Sequence, residues 1–374
     1  MFVGLGDLTI VIPTVSRPLF VLRQFTYWGE TDARVVILDG ATTPIRIPEN
    51  LLRKNIRYVH TGTRFNERLA TAADYVSTKY CVLLTDDEFF LPSGLLAAIR
   101  RLEADPSIIG CVGRCLYFFV DQGRFLVKDA YREWSSFSAN ARTLEERLDE
   151  DLPPSKTHKA QFAVMRAAEW TTMFRGSYSV FFSSGYTYER LLNLSRTVLG
   201  RTDLLEDLLW MRSMENPPIS SANVPRTGAG GFLNWAQISE YAGEVATFRG
   251  IAKKILTDGG LTPEAANEFE RRFFEVGVKQ TIARKSKLKK RARDRFRDIL
   301  LASGSKRFRL FIKRHVPNRF LKLSGWQGYS LDEMATSLTA RGTRFSWAEL
   351  ERIRDLSLET ARTISEPKGI KRGS

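Results

Sequence analysis

Three consecutive acidic residues, Asp86, Asp87 and Glu88, follow an apolar run and precede the segment FFLP. Adjacent like charges repel each other and raise one another's pKa values, so the cluster needs solvent, hydrogen bonds or a cation. A solvated acidic turn is the alternative, but it does not explain why the acids come directly after an apolar strand. Mg²⁺ and Mn²⁺ prefer oxygen ligands and use one or two carboxylates together with phosphate oxygens. The pattern therefore favours a divalent cation bound to a diphosphate.

A second pair of acids, Glu206 and Asp207, lies in the segment LLEDLLW. A carboxylate within hydrogen-bond reach of a hydroxyl group can accept its proton, so the pair could supply a general base. The spacing of apolar residues predicts a helix over 202–216, begun by Thr202-Asp203. The alternative is that these acids only stabilise the helix N-terminus through its dipole.

The elements before these acids alternate between strands and helices, which implies a parallel sheet. Ligands bind beyond the carboxyl ends of the strands in such sheets. We therefore expect the loops that start at Pro13, Asp39 and Asp86 to meet at one edge. The predicted strands are 8–13, 33–40, 56–61 and 79–85, and the predicted helices are 17–28, 64–77 and 92–105.

The pattern loosens after a predicted strand at 108–119. We interpret the polar segment 129–158 as a mobile excursion over the site. Further predictions are a strand at 159–166, a helix at 185–200, a strand and glycine-rich loop at 217–232, basic helices at 289–301 and 306–316, and an amphipathic helix at 345–364.

Composition bounds the class of protein. The chain has 374 residues with 43% hydrophobic residues, which is typical of a globular protein. No apolar run reaches the length of a membrane span, and the first residues lack the features of a secretory signal, so a cytoplasmic protein is expected. The three cysteines are too few for a disulfide framework and are expected to be buried thiols (Cys81, Cys111 and Cys115). The three histidines argue against a metal site with several histidine ligands (His60, His158 and His315).

The net charge of +15 lies in one block of the chain. Residues 249–325 hold 22 Lys and Arg against 7 Asp and Glu, whereas residues 1–248 are nearly neutral. This asymmetry predicts a boundary near residue 248 and a role of the block in binding or localisation. An anionic membrane surface is the favoured partner of this block. The first alternative is that the block is a solvated basic face or binds another protein. Nucleic acid is the third possibility, because the sequence contains no recognisable nucleic-acid-binding motif.

Several segments occur in the order and at roughly the spacing seen in GT-A glycosyltransferases of the family-2 type: LTIVIPTVSRP, the Asp39 end of the second strand, TRFNERLATA and LLTDDEFFLPSGL. The sequence most resembles the bacterial subgroup with ADDDFxxP-like acids, found among polysaccharide-assembly enzymes. The resemblance covers about residues 8–245. It implies an α/β, Rossmann-like GT-A fold with a mostly parallel sheet flanked by helices (residues 1–248), followed by a basic α-helical extension (residues 249–374).

The resemblance also implies roles for single residues. Pro13, Thr14 and Arg17 would line a nucleotide pocket. Asp39 would bind the base or ribose, and Arg64 and Asn66 would lie near the diphosphate or base.

Within the acidic cluster, Thr85 stands where relatives carry an acid. The resemblance makes Asp87 the leading metal ligand, with Glu88 as a less certain one and Asp86 as the ribose or second contact. It also makes Asp207 the general base, with Glu206 beside it.

Two further groups could complete such a site. Arg226, with Gly228, Gly230 and Gly231, could close on a diphosphate, the alternative being a plain flexible loop. Four aromatic residues could stack on an acceptor sugar, although core packing is favoured for any single one (Trp134, Tyr178, Tyr186 and Trp235).

Together these features predict a metal-dependent, inverting glycosyltransferase at the inner face of the plasma membrane. It would move a sugar from a nucleotide-diphospho-sugar to a hydroxyl of a surface polysaccharide or a lipid-linked glycan. A nucleotidyltransferase on a related fold is a rival, although PTVSRP is not the glycine-rich, lysine-bearing loop that it needs. A non-catalytic protein that binds nucleic acid through the basic block is the second rival.

Overall fold

The strands in the described part of the chain form one nine-stranded sheet in the order β3-β2-β1-β4-β8-β6-β9-β5, with β7 paired to β6. The computed structural model describes residues 4–130, 139–151, 162–215, 232–275 and 328–365. The strands are β1 (Leu8–Thr14), β2 (Arg34–Asp39), β3 (Ile56–His60), β4 (Tyr80–Leu83), β5 (Phe89–Phe90), β6 (Ile108–Asp121), β7 (Arg124–Asp129), β8 (Val164–Arg166) and β9 (Arg201–Ser213).

The part of the sheet that carries the acidic loop is parallel. β1 pairs in parallel with both β2 and β4, and β2 pairs in parallel with β3. Every residue of β1 and of β4 is buried, as expected for parallel strands that are covered on both faces. β8, β7 and β5 add antiparallel pairings further along. The predicted α/β class, with a parallel central sheet flanked by helices, is confirmed.

Helices cover the sheet. They are α1 (Pro18–Trp28), α2 (Phe65–Thr71), α3 (Pro92–Ala104), α4 (Leu144–Asp151), α5 (Ala167–Tyr178), α6 (Gly185–Leu199), α7 (Phe232–Gln237), α8 (Ala242–Asp258), α9 (Leu331–Ala340) and α10 (Trp347–Ser365). α1 and α3 each have a proline in the first turn, where a missing N–H costs nothing. α3 lies so close to β9 that a Cβ at Gly94 would be 2.6 Å from the carbonyl oxygen of Leu208.

The helix predicted over 202–216 is wrong. Residues 201–213 instead form β9, which lies parallel to β6 along most of its length, with register shifts between the two strands. Residues Leu208–Met211 are a continuous buried run. A strand that is buried on both faces lacks the alternation that separates strands from helices, and tertiary pairing decides its structure.

The polar segment 129–158 is only partly described. Its part at 139–151 contains α4, whose buried Arg147 donates from Nε to the carbonyl oxygen of Thr197 (2.9 Å) at the end of α6. This described part is therefore packed against the fold, contrary to the predicted mobile excursion. Of the strand and glycine-rich loop predicted at 217–232, all residues except Phe232 lie outside the described residues, and Phe232 begins α7.

The described C-terminal helices pack on the sheet-bearing part of the chain. Glu349, near the start of α10, accepts hydrogen bonds from the backbone N (3.0 Å) and Oγ (2.6 Å) of Ser93 in the first turn of α3. Arg352 donates to the carbonyl oxygens of Thr26 and Tyr27 at the end of α1. The amphipathic helix predicted at 345–364 is confirmed as α10, and it contacts residues of the predicted first domain.

Most of the basic block lies outside the described residues, including the helices predicted at 289–301 and 306–316. In the described ranges, no helix combines the length and the apolar character needed to cross a membrane. The role of the block in binding an anionic surface stays a prediction.

Candidate functional site

The carboxyl ends of β1, β2 and β4 meet at Thr14, the last residue of β1. Thr14 is the register partner of Asp39 at the end of β2. On the other side, its Oγ1 donates a hydrogen bond to Oδ2 of Asp86 (2.6 Å), three residues beyond β4. All three side chains are buried. The expected convergence of the loops at Pro13, Asp39 and Asp86 is therefore what the structure shows.

Arg17 joins the first two acids of the cluster. Its Nη1 lies 2.6 Å from Oδ1 of Asp86, and its Nη2 lies 3.0 Å from Oδ2 of Asp87. Phe20 lies under the guanidinium, with its ring centroid 4.5 Å away. Burial raises the pKa of Asp86 to about 7, although the positive charge of Arg17 acts in the opposite direction. Arg17 therefore places one positive charge between two carboxylates of the cluster.

The backbone of the acidic loop is held by side chains of α1. Gln24 donates from Nε2 to the carbonyl oxygens of Asp86 (2.9 Å) and Glu88 (2.8 Å). Arg23 donates from Nη2 to the carbonyl oxygen of Asp87 (2.7 Å). Because Arg23 and Gln24 are themselves buried, these contacts fix the direction in which the carboxylates leave the loop.

Glu88 points away from the other two acids. Its Oε2 accepts a hydrogen bond from Nε1 of Trp210 (2.8 Å), and its Oε1 lies 3.6 Å from Nε of Arg212, both on β9. Burial, followed by the negative charge of Asp87, raises the pKa of Glu88 to about 8. These contacts do not support the predicted metal role of Glu88.

Asp39 has an ordered, buried carboxylate. Its Oδ1 accepts from the backbone N of Ala41 (2.9 Å), and its Oδ2 accepts from the hydroxyl group of Tyr58 (2.5 Å). Burial and this hydrogen bond raise the pKa of Tyr58 to about 12, so Tyr58 remains a donor to Asp39. Asp39 is thereby held at the sheet edge in the place expected for a group that binds a base or ribose.

Arg68 is a site residue that sequence reasoning missed. It is 1% exposed, and its Nη1 donates to the carbonyl oxygen of Thr63. Its Nε and Nη2 have no hydrogen-bond partner among the described residues. Burial lowers the pKa of Arg68, and the negative charge of Asp39 opposes this shift. A buried guanidinium with two unpaired N–H-bearing nitrogens is costly unless it binds a ligand.

Gly40 makes room for this side chain, because a Cβ there would overlap Nη1 of Arg68. The sequence signal was a charged residue on the apolar face of α2, three residues after Phe65. Helical spacing alone assigned that face to the core.

Arg64 and Asn66 flank the same end of the sheet. Arg64 is exposed and lies at the N-cap of α2, with its guanidinium 5.3 Å from the ring centroid of Phe181. Asn66 is buried, and its Oδ1 has no partner among the described residues. Their predicted contacts with a diphosphate or a base stay predictions.

The predicted catalytic pair lies on β9 instead of at a helix start. Both carboxylate oxygens of Asp207 accept hydrogen bonds from Arg344, at 2.9 Å from Nε and 2.6 Å from Nη2. Glu206 is exposed and pairs with Arg114. Asp207 and Ser213 are six positions apart on the strand, a span of roughly 20 Å. The base role of Asp207 stays a prediction, and the two acids do not join the cluster at the sheet edge.

The C-terminal end of β9 does join that cluster. β5 and β9 are antiparallel, with Phe89 opposite Met211 and Phe90 opposite Trp210. The chain beyond Met211 therefore runs beside the residues that precede Phe89, and Glu215 lies there against Arg23. No sequence signal identified Glu215, because its contact depends on the strand pairing that the helix prediction excluded.

The other predicted contacts divide into described and undescribed residues. Arg226, its three following glycines and Trp134 lie outside the described ranges. Tyr178 and Trp235 are buried: Tyr178 stacks on Tyr188, and Trp235 donates from Nε1 to Glu244 (2.7 Å). Both are core residues, as the alternative interpretation held. Tyr186 is 57% exposed.

A divalent cation fits this edge only with ligands from a substrate. The described residues bring together no group of three or more His, Cys, Asp or Glu side chains that could hold a metal ion. Asp87 is the most exposed of the three acids, at 8%. One carboxylate at the rim, completed by phosphate oxygens and water, is a ligand set that Mg²⁺ uses.

Comparisons with known proteins give the following results. No family model matches the sequence. No curated protein matches it. Solved structures of S. aureus TarS are similar to this chain. The structure of residues 1–349 in complex with UDP-GlcNAc has 11% sequence identity, covers 72% of each chain and has a TM-score of 0.45. The structure of the same residues without a named ligand has 10% identity, covers 72% of this chain and 71% of that chain, and has a TM-score of 0.44, and the complex with UDP has 12% identity, covers 67% of this chain and 70% of that chain, and has a TM-score of 0.39. The TM-scores are low, so the function proposed below rests on the residues of the site.

Proposed function

We propose that this protein is a glycosyltransferase that takes its sugar from a nucleotide-diphospho-sugar. The observation that supports this most is the arrangement around Thr14. Two buried carboxylates, Asp39 and Asp86, flank the end of β1, and two arginines, Arg17 and Arg68, lie against them. Carboxylates suit the N–H and hydroxyl groups of a nucleoside, and arginines suit the oxygens of a diphosphate or the carbonyl groups of a base.

Within this proposal, Asp39 and Arg68 bind the base, and Asp86 binds the ribose. Pro13 and Thr14 line the floor of the pocket, and Arg64 and Asn66 border it. The unpaired nitrogens of Arg68 gain a ligand acceptor, which removes the cost of burying them. Arg17 then shifts its hydrogen bonds from the acids toward the diphosphate.

The proposed reaction is an in-line displacement that inverts the anomeric carbon. When bound, Mn²⁺ or Mg²⁺ would neutralise charge on the leaving diphosphate, and Asp87 is the residue that would hold it. Arg17 would stabilise the same charge from the α1 side. Gln24 and Arg23 keep Asp87 in place through the loop backbone, so the carboxylate needs little reorganisation when the donor binds.

The acceptor side is proposed on the sequence alone. A hydroxyl group of a surface polysaccharide or of a lipid-linked glycan is the proposed acceptor. An anionic membrane surface is the proposed partner of the basic block, with the enzyme at the inner face of the plasma membrane.

Thermal unfolding with a panel of nucleotide-sugars tests this proposal, because a ligand of the folded state raises the Tm. The panel includes UDP-GlcNAc and other UDP-, GDP- and TDP-sugars, each with and without Mn²⁺. We expect at least one donor to raise the Tm by several degrees, and Mn²⁺ to increase that shift.

Arg68→Met should lose most of the shift without loss of stability, because it removes an unsatisfied buried cation. Asp87→Asn should lose the additional effect of Mn²⁺. Asp74→Asn is the matched control, since Asp74 is exposed and pairs only with Arg175 among the described residues. If no nucleotide-sugar changes the Tm of the wild-type protein, the proposal is refuted.

A further inference from the structure

Glu215 lies two residues after the end of β9, and its position follows from strand pairing. The antiparallel pairs Phe89–Met211 and Phe90–Trp210 direct the chain after Met211 back along the acidic loop. Met214 and Glu215 then emerge at the sheet edge, where Met214 is 40% exposed. Glu215 thus lies at the rim of the proposed donor site, whereas Asp207 lies midway along β9.

One guanidinium group connects Glu215 to the acidic loop. Nη1 of Arg23 lies 3.2 Å from Oε2 of Glu215, and Nη2 of Arg23 donates to the carbonyl oxygen of Asp87 (2.7 Å). The rings of Phe20 and Phe89 have their centroids 4.7 Å and 4.8 Å from Cζ of Arg23. Because Arg23 is buried and packed against two rings, it holds Glu215 at a fixed position beside Asp87.

The carboxylate of Glu215 is anchored through one oxygen. Among the described residues, the contacts with Arg23 and with Oγ of Ser213 (3.4 Å) both involve Oε2. The side chain is 13% exposed, so it borders the open edge of the site. Asp207, by contrast, has both oxygens engaged by one arginine.

We propose that Glu215 is the general base that deprotonates the acceptor hydroxyl group. This inference rests on the function proposed above. In the reaction, the acceptor oxygen forms a bond to the anomeric carbon while its proton passes to the Glu215 carboxylate. The bond between the anomeric carbon and the diphosphate oxygen breaks, and the nucleoside diphosphate leaves with the electron pair.

The charge around Glu215 suits this task. Burial raises the pKa of Glu215, and the negative charge of Asp87 acts in the same direction, whereas Arg23 lowers it. A carboxylate with a raised pKa is a stronger base than an exposed one. Arg23 prevents complete neutralisation and keeps the group able to accept a proton.

A purely structural role is the competing explanation, since a buried Arg23 needs a negative partner. Glu215→Gln separates the two roles. The amide keeps a carbonyl oxygen that can accept a hydrogen bond from Arg23, but it cannot act as a base at neutral pH. Glu215→Asp keeps the negative charge but shortens the side chain by one methylene group, which moves the carboxylate toward the backbone.

The assay uses the full chain and the nucleotide-sugar that gives the largest thermal shift with the wild-type protein. Donor affinity is measured by calorimetry, stability by the Tm, and turnover by release of the nucleoside diphosphate, with water or glycerol as the hydroxyl acceptor. Glu268→Gln is the matched control, because Glu268 is exposed on a distant helical segment and pairs with Arg271. Asp207→Asn tests the competing base.

We expect Glu215→Gln to lower turnover by about 100-fold or more, in the range of a lost general base. Donor affinity and Tm should stay close to those of the wild-type protein, and Glu215→Asp should retain part of the turnover. Turnover within a few-fold of wild type in Glu215→Gln would overturn the inference, as would a large loss of donor affinity or Tm in that variant. A loss of turnover in Asp207→Asn alone would assign the base to Asp207.

These results are distinct from failure of the proposed function. If that function is wrong, the wild-type protein itself binds no nucleotide-sugar. If only the inference about Glu215 is wrong, the wild-type protein binds the donor and turns it over, and Glu215→Gln either keeps its turnover or loses donor affinity or Tm.

Discussion

Replacing Glu88 by glutamine should remove a large part of the pH dependence of folding stability. Burial, followed by the negative charge of Asp87, raises the pKa of the Glu88 carboxyl from 4.5 to about 8. A raised carboxyl pKa means that the folded state binds more protons than the unfolded state between these two values. The stabilising effect of that proton is therefore complete below about pH 4.5 and is lost as the pH rises through about 8.

The size of the effect follows from the pKa. Glu88 is protonated in the folded state at about pH 6 and ionised at about pH 9, and each pH unit below its pKa is worth about 1.4 kcal/mol. The wild-type protein should therefore lose about 3 kcal/mol of unfolding free energy over this interval through Glu88. Glutamine carries no charge and can accept the hydrogen bond from Trp210, so the variant should not show this loss.

Urea unfolding at the two pH values measures the difference. Asp86 titrates over an overlapping range, with its pKa raised by burial to about 7, so the slope of either protein alone is not informative. The informative quantity is the change in unfolding free energy of wild type minus that of Glu88→Gln. Glu268→Gln, at an exposed position, controls for the loss of one carboxylate. An identical pH dependence in wild type and Glu88→Gln would show that Glu88 is already ionised in the folded protein, which would refute the reasoning.

Two further predictions concern the surroundings of the acidic loop. In the absence of donor, Arg17→Gln should bind Mn²⁺ about tenfold more tightly than the wild-type protein, a gain of about 1.4 kcal/mol, because the guanidinium competes with a cation for Asp87. Calorimetry with Mn²⁺ alone measures this affinity, and an unchanged value would contradict the prediction. Glu349→Ala should lower the unfolding free energy by about 2 kcal/mol, because Ser93 loses both hydrogen bonds that link α10 to the first turn of α3. Urea unfolding measures this free energy, and Glu349→Gln should recover part of the lost stability. A loss near zero in Glu349→Ala would show that the contact contributes nothing to stability.

The parallel part of the fold could be predicted from sequence because its signals are local. β1 and β2, for example, are mostly apolar runs that end at a polar or acidic residue, LTIVIPT and RVVILD. The alternation with helices then places Asp39 and Asp86 at one edge by topology alone. For these residues, sequence position and spatial position follow from the same pattern.

β9 could not be predicted in this way because its structure depends on distant partners. Its apolar residues fit helical spacing as well as they fit a strand buried on two faces. Pairing with β6 and β5 decides between them, and these strands lie about a hundred residues earlier in the chain. The wrong helix prediction affected the predicted site, because it placed Glu206 and Asp207 at a helix start and gave no reason to consider Glu215.

Arg23, Gln24 and Arg68 were missed for a related reason. Each is a polar residue at a position that helical spacing assigns to a buried face. Spacing shows that such a residue is buried, but its partner is a carbonyl oxygen of the acidic loop or, for Arg68, of Thr63, which only the assembled fold reveals. Long polar side chains on apolar faces were the available signal.

Contacts from α1 hold the backbone of the acidic loop, and α1 is in turn contacted by α10 in the C-terminal region. Gln24 and Arg23 bind the loop carbonyls, and the hydroxyl group of Tyr27 donates to the carbonyl oxygen of Phe90 (2.8 Å). The end of the same helix is held by Arg352 of α10. The loop carbonyls are thus fixed by α1, and the three carboxylates face different surroundings. Stability of the loop therefore depends on α1 and α10, while its chemistry is left to Asp86, Asp87 and their arginine partner.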